Sequence, residues 1–324
     1  MSKKYDSVAL GELLIDWVQC GTSSQGNPIY ECNPGGAPCN LLAMMQKAGK
    51  KVGFIGKVGD DMFGRMLKKR TEAQNIDMSG LEFDKEIHTT LAFVEKKENG
   101  DRDFSFYRNP GADIMIHKND IDKHKDLIQN SKIFIFENLS FTDQPARDAT
   151  IEAIKIAKEA KCIIAFDPNY RPPLWNSEKD AKEWMEYGLK HCDILKISDN
   201  EIEFLTGEKD YHKGIQNIIE KFKIKLIFAT YGPEGARAYY NGEDIYVKAY
   251  VNPKTIETTG AGDTFYGAAL SKVLEYGFDK LDKKSLEDTL KFAQAAASLI
   301  TTKKGALCVM PSREEIESEV KKHE

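Results

Sequence analysis

The sequence predicts an α/β fold: a doubly wound, mostly parallel sheet flanked by helices, with a small β-sheet lid. Three observations carry this. From residue 132 onward short apolar runs alternate with helix-length segments, the βαβα rhythm of a parallel sheet covered on both faces. Two strand-rich stretches, about 12–34 and 87–108, break that rhythm and suit a small separate sheet over one edge. A glycine turn at 260–262 leads directly into helix-forming sequence.

Residues 7–11 read as a short buried strand, and 12–33 alternate loosely as short exposed strands. Pro34-Gly35-Gly36-Ala37 opens a helix over 38–49, closed by Gly49, and 52–58 is a strand. Asp60 or Asp61 caps a helix running to about 75. Residues 88–108 form a hairpin whose turn signal is Asn99-Gly100. Strands at 132–136, 162–166, 193–197 and 225–230 then alternate with helices at 145–160, 178–190, 199–206 and 211–222. A second hairpin fills 236–251, and helices at 262–276 and 284–302 close the chain. Length alone suggests two domains or one large one. The element order favours a single domain over 1–324, with a discontinuous β lid from about 12–34 and 87–108.

Composition narrows the partners. Apolar residues make up 41% and charged residues 30%, enough to bury a full core. A net charge of −5 and no long Lys/Arg block argue against nucleic acid, and no apolar run approaches a membrane span. The opening stretch has no signal-peptide core, and the six scattered cysteines lack CxxC spacing; both favour a cytoplasmic protein with reduced thiols. The histidines form no metal-ligand pattern.

The chemistry concentrates at 257–265 (ETTGAGDTF). Gly260 and Gly262 suit a tight turn at a helix start, where free N–H groups attract anions. A carboxylate placed there, Asp263, suggests a base that takes a hydroxyl proton while the turn holds phosphoryl oxygens; the plain alternative is an N-cap. Polar clusters follow four strands on one rim of the sheet: Asp16, then 167–171, 198–201 and 230–232. Rival phosphate loops fail. Gly59–Gly64 is followed by Arg65-Met66 instead of Lys-Ser/Thr, and no GxGxxG joins a first strand to a helix.

Two signatures, 35–67 (GGAPCNLLAMMQKAGKKVGFIGKVGDDMFGRML) and ETTGAGDTF, resemble the ribokinase-like (PfkB) carbohydrate kinases. TYGPEG at 230–235 and FAQAAASLITTKKGA at 292–306 extend the resemblance over nearly the whole chain. Within the family, FSFYRNPGAD (104–113), DPNYRPPLW (167–175) and LKISDNEIEFLTG (195–207) are most similar to fructokinases. The resemblance implies a ribokinase-like fold and ATP-dependent, Mg²⁺-requiring phosphorylation of a sugar hydroxyl, first of all D-fructose to fructose 6-phosphate. It implies Asp263 as catalytic base, with Gly260, Ala261 and Gly262 as anion hole. Asp16, Gly35, Gly36, Asn40, Phe106, Arg108 and Arg171 are implied at the sugar. Lys196, Glu201, Thr230, Gly232 and Gly235 are implied at ATP, Glu201 being linked to Mg²⁺ through water. Glu257 stands where the family has Asp beside a monovalent-cation site, which leaves K⁺ dependence open. The partners implied are ATP and a small neutral sugar; the exposed faces of the lid sheet suggest a dimer through it, which the resemblance permits without requiring.

Residue by residue, simpler roles stand beside these: a turn cap for Asp16, a backbone-bonded amide for Asn40, a core ring for Phe106, and a capping box for Ser198 and Glu201. A 2-keto-3-deoxygluconate kinase, another sugar or nucleoside kinase of the family, and a non-catalytic sugar-binding regulator are the alternative functions.

Overall fold

The computed structural model describes residues 3–96 and 102–323. Its strands are β1 (Tyr5–Leu10), β2 (Leu14–Thr22), β3 (Pro28–Gly35), β4 (Val52–Gly59), β5 (Asp77–Asp84), β6 (Leu91–Lys96), β7 (Arg102–Tyr107), β8 (Ser131–Glu137), β9 (Ile163–Asp167), β10 (Ile194–Ser198), β11 (Leu226–Thr230), β12 (Ala236–Tyr240) and β13 (Glu243–Val247). Its helices are α1 (Ala37–Lys47), α2 (Met62–Glu72), α3 (Lys118–Gln129), α4 (Ala146–Glu159), α5 (Glu178–His191), α6 (Asp199–Thr206), α7 (Tyr211–Phe222), α8 (Ala261–Tyr276), α9 (Lys283–Ile300) and α10 (Arg313–Lys322).

Nine strands form one sheet in the order β13-β12-β11-β10-β9-β8-β1-β4-β5, parallel from β5 through β11, with β12 and β13 added antiparallel. The central strands are apolar on both faces because both are covered: Ile133, Phe134, Ile135 and Phe136 of β8 are all fully buried. One core packs α1, α8, α9 and α10 on one face; the other packs α3 to α7 opposite. The helices α1 and α8 lie close enough that a Cβ at Gly267 would stand 2.5 Å from the Leu41 carbonyl oxygen. This contact brings the first turns of both helices to one place.

The out-of-rhythm stretches form a second sheet, β3-β2-β6-β7, in which β2 and β6 are parallel and the outer pairs antiparallel. An aromatic layer lines it: Trp17 stacks on Phe93 with centroids 6.1 Å apart and meets Phe63 of α2 edge-on at 5.8 Å. The Asn99-Gly100 turn falls outside the described residues.

Three elements escape the sequence reading, for related reasons. The edge strand β5 (DMSGLEFD) buries Met78 and Leu81 amid polar residues, so it lacks the apolar run of a central strand. Within α3, charged residues surround the few buried apolar ones, Ile121, Leu127 and Ile128. The chain does not close with α9: Ser312 caps α10, whose Ile316 is fully buried against the core. No described helix is long and apolar enough to cross a membrane.

Candidate active site

The two glycines at the start of α8 are required for different reasons. Gly260 caps the helix with φ of 73°, a left-handed conformation, and a Cβ there would stand 2.5 Å from that of Ala306. Gly262 lies inside the first turn with no left-handed angle, so the expectation that both serve backbone geometry holds only for Gly260. What Gly262 provides is space: its Cβ would stand 3.3 Å from Lys196 Nζ. The ammonium of Lys196 therefore faces the opening turn of α8. The Ala261 amide donates to the Thr258 carbonyl at 3.2 Å. The amides of Gly262 and Asp263 remain among the first-turn donors that a helix cannot pair internally.

Asp263 Oδ2 accepts a hydrogen bond from Asn40 Nδ2 at 2.9 Å. Asn40 is held there by the start of α1. Gly36 takes φ of 114°, where a Cβ would come within 2.5 Å of the Glu12 carbonyl oxygen, and the Ala37 amide donates to Glu12 Oε1 at 2.8 Å. Burial pushes the Asp263 carboxyl above its ordinary range, opposed by Asn40, Lys196 and Arg171. The result is a carboxylate of increased basicity beside an ammonium and a helix N-terminus.

Lys196 lies 2.9 Å from Asp167. Burial works against its charge, but Asp167, Glu201 and Asp263 outweigh that and hold the ammonium firmly protonated. Burial in turn pushes Asp167 up to about 6 despite Lys196. Glu201 does complete the capping box of α6, Oε2 accepting from the Ser198 amide at 2.8 Å. Its Oε1 accepts from the Tyr170 amide, also at 2.8 Å, so the same carboxylate ties the 167–171 segment to α6.

These groups share a cavity of about 380 Å³ beyond the carboxyl ends of β1, β8, β9 and β10. Its walls bring together Asp16, Gly36, Asn40, Phe106, Arg171, Lys196, Glu201, Gly260, Gly262 and Asp263. Half-buried Phe106 sits on the wall and not in a core. Gly35 is behind the wall, where a side chain would collide with the Asp16 carboxylate. Thr230, Gly232 and Gly235 lie off this cavity; Thr230 pairs with Ser198 on the same rim.

Arg108, expected at the sugar, does not line this cavity, and its guanidinium is bonded inside the protein. Nε donates to Asp113 Oδ2 at 2.8 Å, Nη1 to Thr142 Oγ1 at 2.8 Å, and Nη2 reaches the Leu139 carbonyl at 3.2 Å and Asp113 Oδ2 at 2.6 Å. It anchors the end of β7 to the segment after β8.

Sequence reasoning missed Glu12, Glu137 and Asn169. Glu12 is buried on the cavity wall, and burial pushes its carboxyl up to about 7. Glu137 ends β8 below the cavity; burial, then Glu12, Asp167 and Asp263, push it well above the usual carboxylate range. Neither had a sequence signal beyond ending an apolar run. Asn169 stood in the polar cluster after β9 but received no role. Glu257, buried, accepts from the Gly305 amide at 2.9 Å and so braces the turn before α8. Among the described residues no three His, Cys, Asp or Glu side chains converge as a metal-ligand cluster.

Known proteins resemble this chain over nearly its whole length. The family model described as pfkB family carbohydrate kinase matches residues 4–313. Probable fructokinase-7 of Arabidopsis thaliana is 38% identical over 314 residues, covering 96% of this chain and 91% of its own length. A Xylella fastidiosa fructokinase with bound ATP superimposes with a TM-score of 0.88 at 27% identity, covering 98% of this chain and 99% of its own. A Vibrio cholerae O395 fructokinase in its fructose, ADP and calcium ion bound form gives 0.86 at 28% identity, with 98% and 99% coverage.

Proposed function

The chain belongs to the pfkB family of carbohydrate kinases, and from that premise we propose that it transfers the γ-phosphoryl group of ATP to the 6-hydroxyl of D-fructose. The observation that carries the proposal is the meeting of Asp263, its Asn40 partner and the Lys196 ammonium at the opening turn of α8, inside one polar cavity.

In this reading Asp263 accepts the proton of the attacking hydroxyl, and its raised basicity suits that task. The Asn40 amide fixes the orientation of the carboxylate. Lys196 and the amides of Gly262 and Asp263 face the charge on the transferred group. Asp16 and Gly36 border the sugar, with Arg171 between sugar and phosphate, while the rim at Thr230, Gly232 and Gly235 receives the rest of the nucleotide. The acidic residues fit a magnesium ion only loosely, since both Glu201 oxygens already accept backbone amides. Such an ion would take most of its oxygen ligands from phosphates and water, with Glu201 reached through water, and would neutralise phosphate charge. The second sheet serves as a lid that excludes water, a competing acceptor. Its exposed Ile29, Tyr30 and Tyr107 support a second copy docking there. Free cysteines fit a reducing cytoplasm.

The engagement of Arg108 with Asp113 leaves Arg171 on the cavity wall as the arginine that a keto-acid carboxylate would have to meet, so the choice between a neutral sugar and a keto-acid turns on that residue. ADP release measured over a panel of ketohexoses, aldohexoses and 2-keto-3-deoxygluconate tests this. Fructose should exceed the keto-acid in kcat/KM by at least about tenfold. A preference for the keto-acid would overturn the substrate, and tight sugar binding without ADP release would make the protein a regulator.

A further inference from the structure

Asn169, second residue after β9, is held on three sides. Its backbone adopts φ of 42°, a left-handed conformation that asparagine tolerates and that persists where surroundings enforce it. Its side-chain Nδ2 donates to Glu137 Oε2 at 2.7 Å, and its backbone amide donates to Asp167 Oδ1 at 3.1 Å. The next amide, of Tyr170, donates to Glu201 at 2.8 Å. The anchors are themselves buried: Glu137 and Asp167 are each 1% exposed and Glu201 6%.

Glu137 has no place on the cavity wall, yet Asn169, which it holds, does. An acid beneath a cavity, bonded to an amide that lines it, acts through that amide. Whether ionised or protonated, Glu137 retains an acceptor oxygen, so the donor end of the amide turns toward it. The other end, Oδ1, accepts from no described group. A carbonyl oxygen is an acceptor only, and an ionised phosphate has no proton to offer it. A sugar hydroxyl has one, as does a metal-bound water, and the Mg²⁺ requirement measured below separates the two.

We infer that Asn169 reads one hydroxyl of the sugar through Oδ1, and that Glu137 is the positioning residue that fixes its amide. The inference rests on the fructose reading above and adds a specificity contact to it. Asp16 and Asn40 border the same cavity and attend to other hydroxyls.

The test measures kcat/KM for fructose and for 1-, 3- and 4-deoxyfructose, and the Mg²⁺ requirement, in wild type and three variants, with melting temperatures as the fold control. Asn169→Gly removes the amide while tolerating the backbone angle. Glu137→Leu removes the acceptor; Glu137→Gln keeps one. In wild type each deoxy sugar should fall below fructose, and the one lacking the hydroxyl that Asn169 reads by at least about tenfold, because the missing hydroxyl leaves a site acceptor unpaired. In Asn169→Gly that one penalty should shrink to within about threefold while the other two persist. Glu137→Leu should reproduce this, and Glu137→Gln should restore the wild-type penalty. A merely structural role would lower melting temperature and overall rate without changing this selectivity. If wild type phosphorylates fructose and Asn169→Gly keeps all three penalties, the inference falls, including where that variant only raises the Mg²⁺ requirement. Unchanged selectivity in Glu137→Leu alone would remove the positioning role. Failure of wild type to phosphorylate fructose would bring down the substrate reading, and this inference with it.

Discussion

Replacing Asp263 by Asn separates the chemistry of the carboxylate from its shape. The amide can still accept the Asn40 hydrogen bond, made at 2.9 Å in the native protein, through its own carbonyl oxygen. The opening turn of α8 and Lys196 therefore stay in place, and sugar and ATP affinities should change little. What disappears is the proton acceptor. General-base removal typically costs about 10²–10⁴-fold in kcat, or roughly 3–5 kcal/mol on the barrier. Stability should move the opposite way. Burial holds the folded carboxyl above its ordinary value. Such a group contributes stability that is fully present below the unfolded pKa and is lost as pH rises through the folded one. As pH rises the wild type loses that contribution, whereas the neutral amide, which mimics the protonated carboxyl, keeps it. Asp263→Asn should melt higher than wild type at pH 8, and the difference should close as pH falls into the ordinary carboxylate range. Steady-state ADP release and thermal melting over pH 4–8 give both readings. Turnover within tenfold of wild type would refute the base assignment. A variant less stable at pH 8 would refute the account of the raised carboxyl.

Gly262→Val should lower kcat and raise KM for ATP, because its side chain enters the space 3.3 Å from Lys196 Nζ; wild-type kinetics in a folded variant would refute this. Arg108→Lys loses the fork that serves Asp113, Thr142 and Leu139 together, so urea unfolding should show a loss of about 1–3 kcal/mol. An unchanged midpoint would refute this anchoring role. Glu12, with its carboxyl pushed up to about 7 by burial, favours the fold below its ordinary 4.5 and loses that contribution as pH rises through 7. Glu12→Gln should flatten this fall and stabilise the protein at pH 8 by up to about 3 kcal/mol; equal slopes in both proteins would refute it.

The sequence by itself determined the doubly wound sheet, since apolar runs such as 132–136 and 162–166 require cover on both faces wherever they sit. It also determined that the two stretches at 12–34 and 87–108 pair separately, and that a glycine turn before Asp263 opens a helix. These features are local: periodicity, turn chemistry and spacing are all written within a few residues. Tertiary structure alone decided which polar residues meet. Arg108 and Arg171 look alike as sequence, yet one is consumed by Asp113, five residues on, and the other reaches the cavity. Gly260 and Gly262 look alike too, but Ala306 constrains one and Lys196 the other. Asn40 and Asp263 lie 223 residues apart and touch because α1 packs on α8. Glu137 had no signal at all, because a carboxylate at a strand end acquires its meaning only from what burial places against it, here the amide of Asn169.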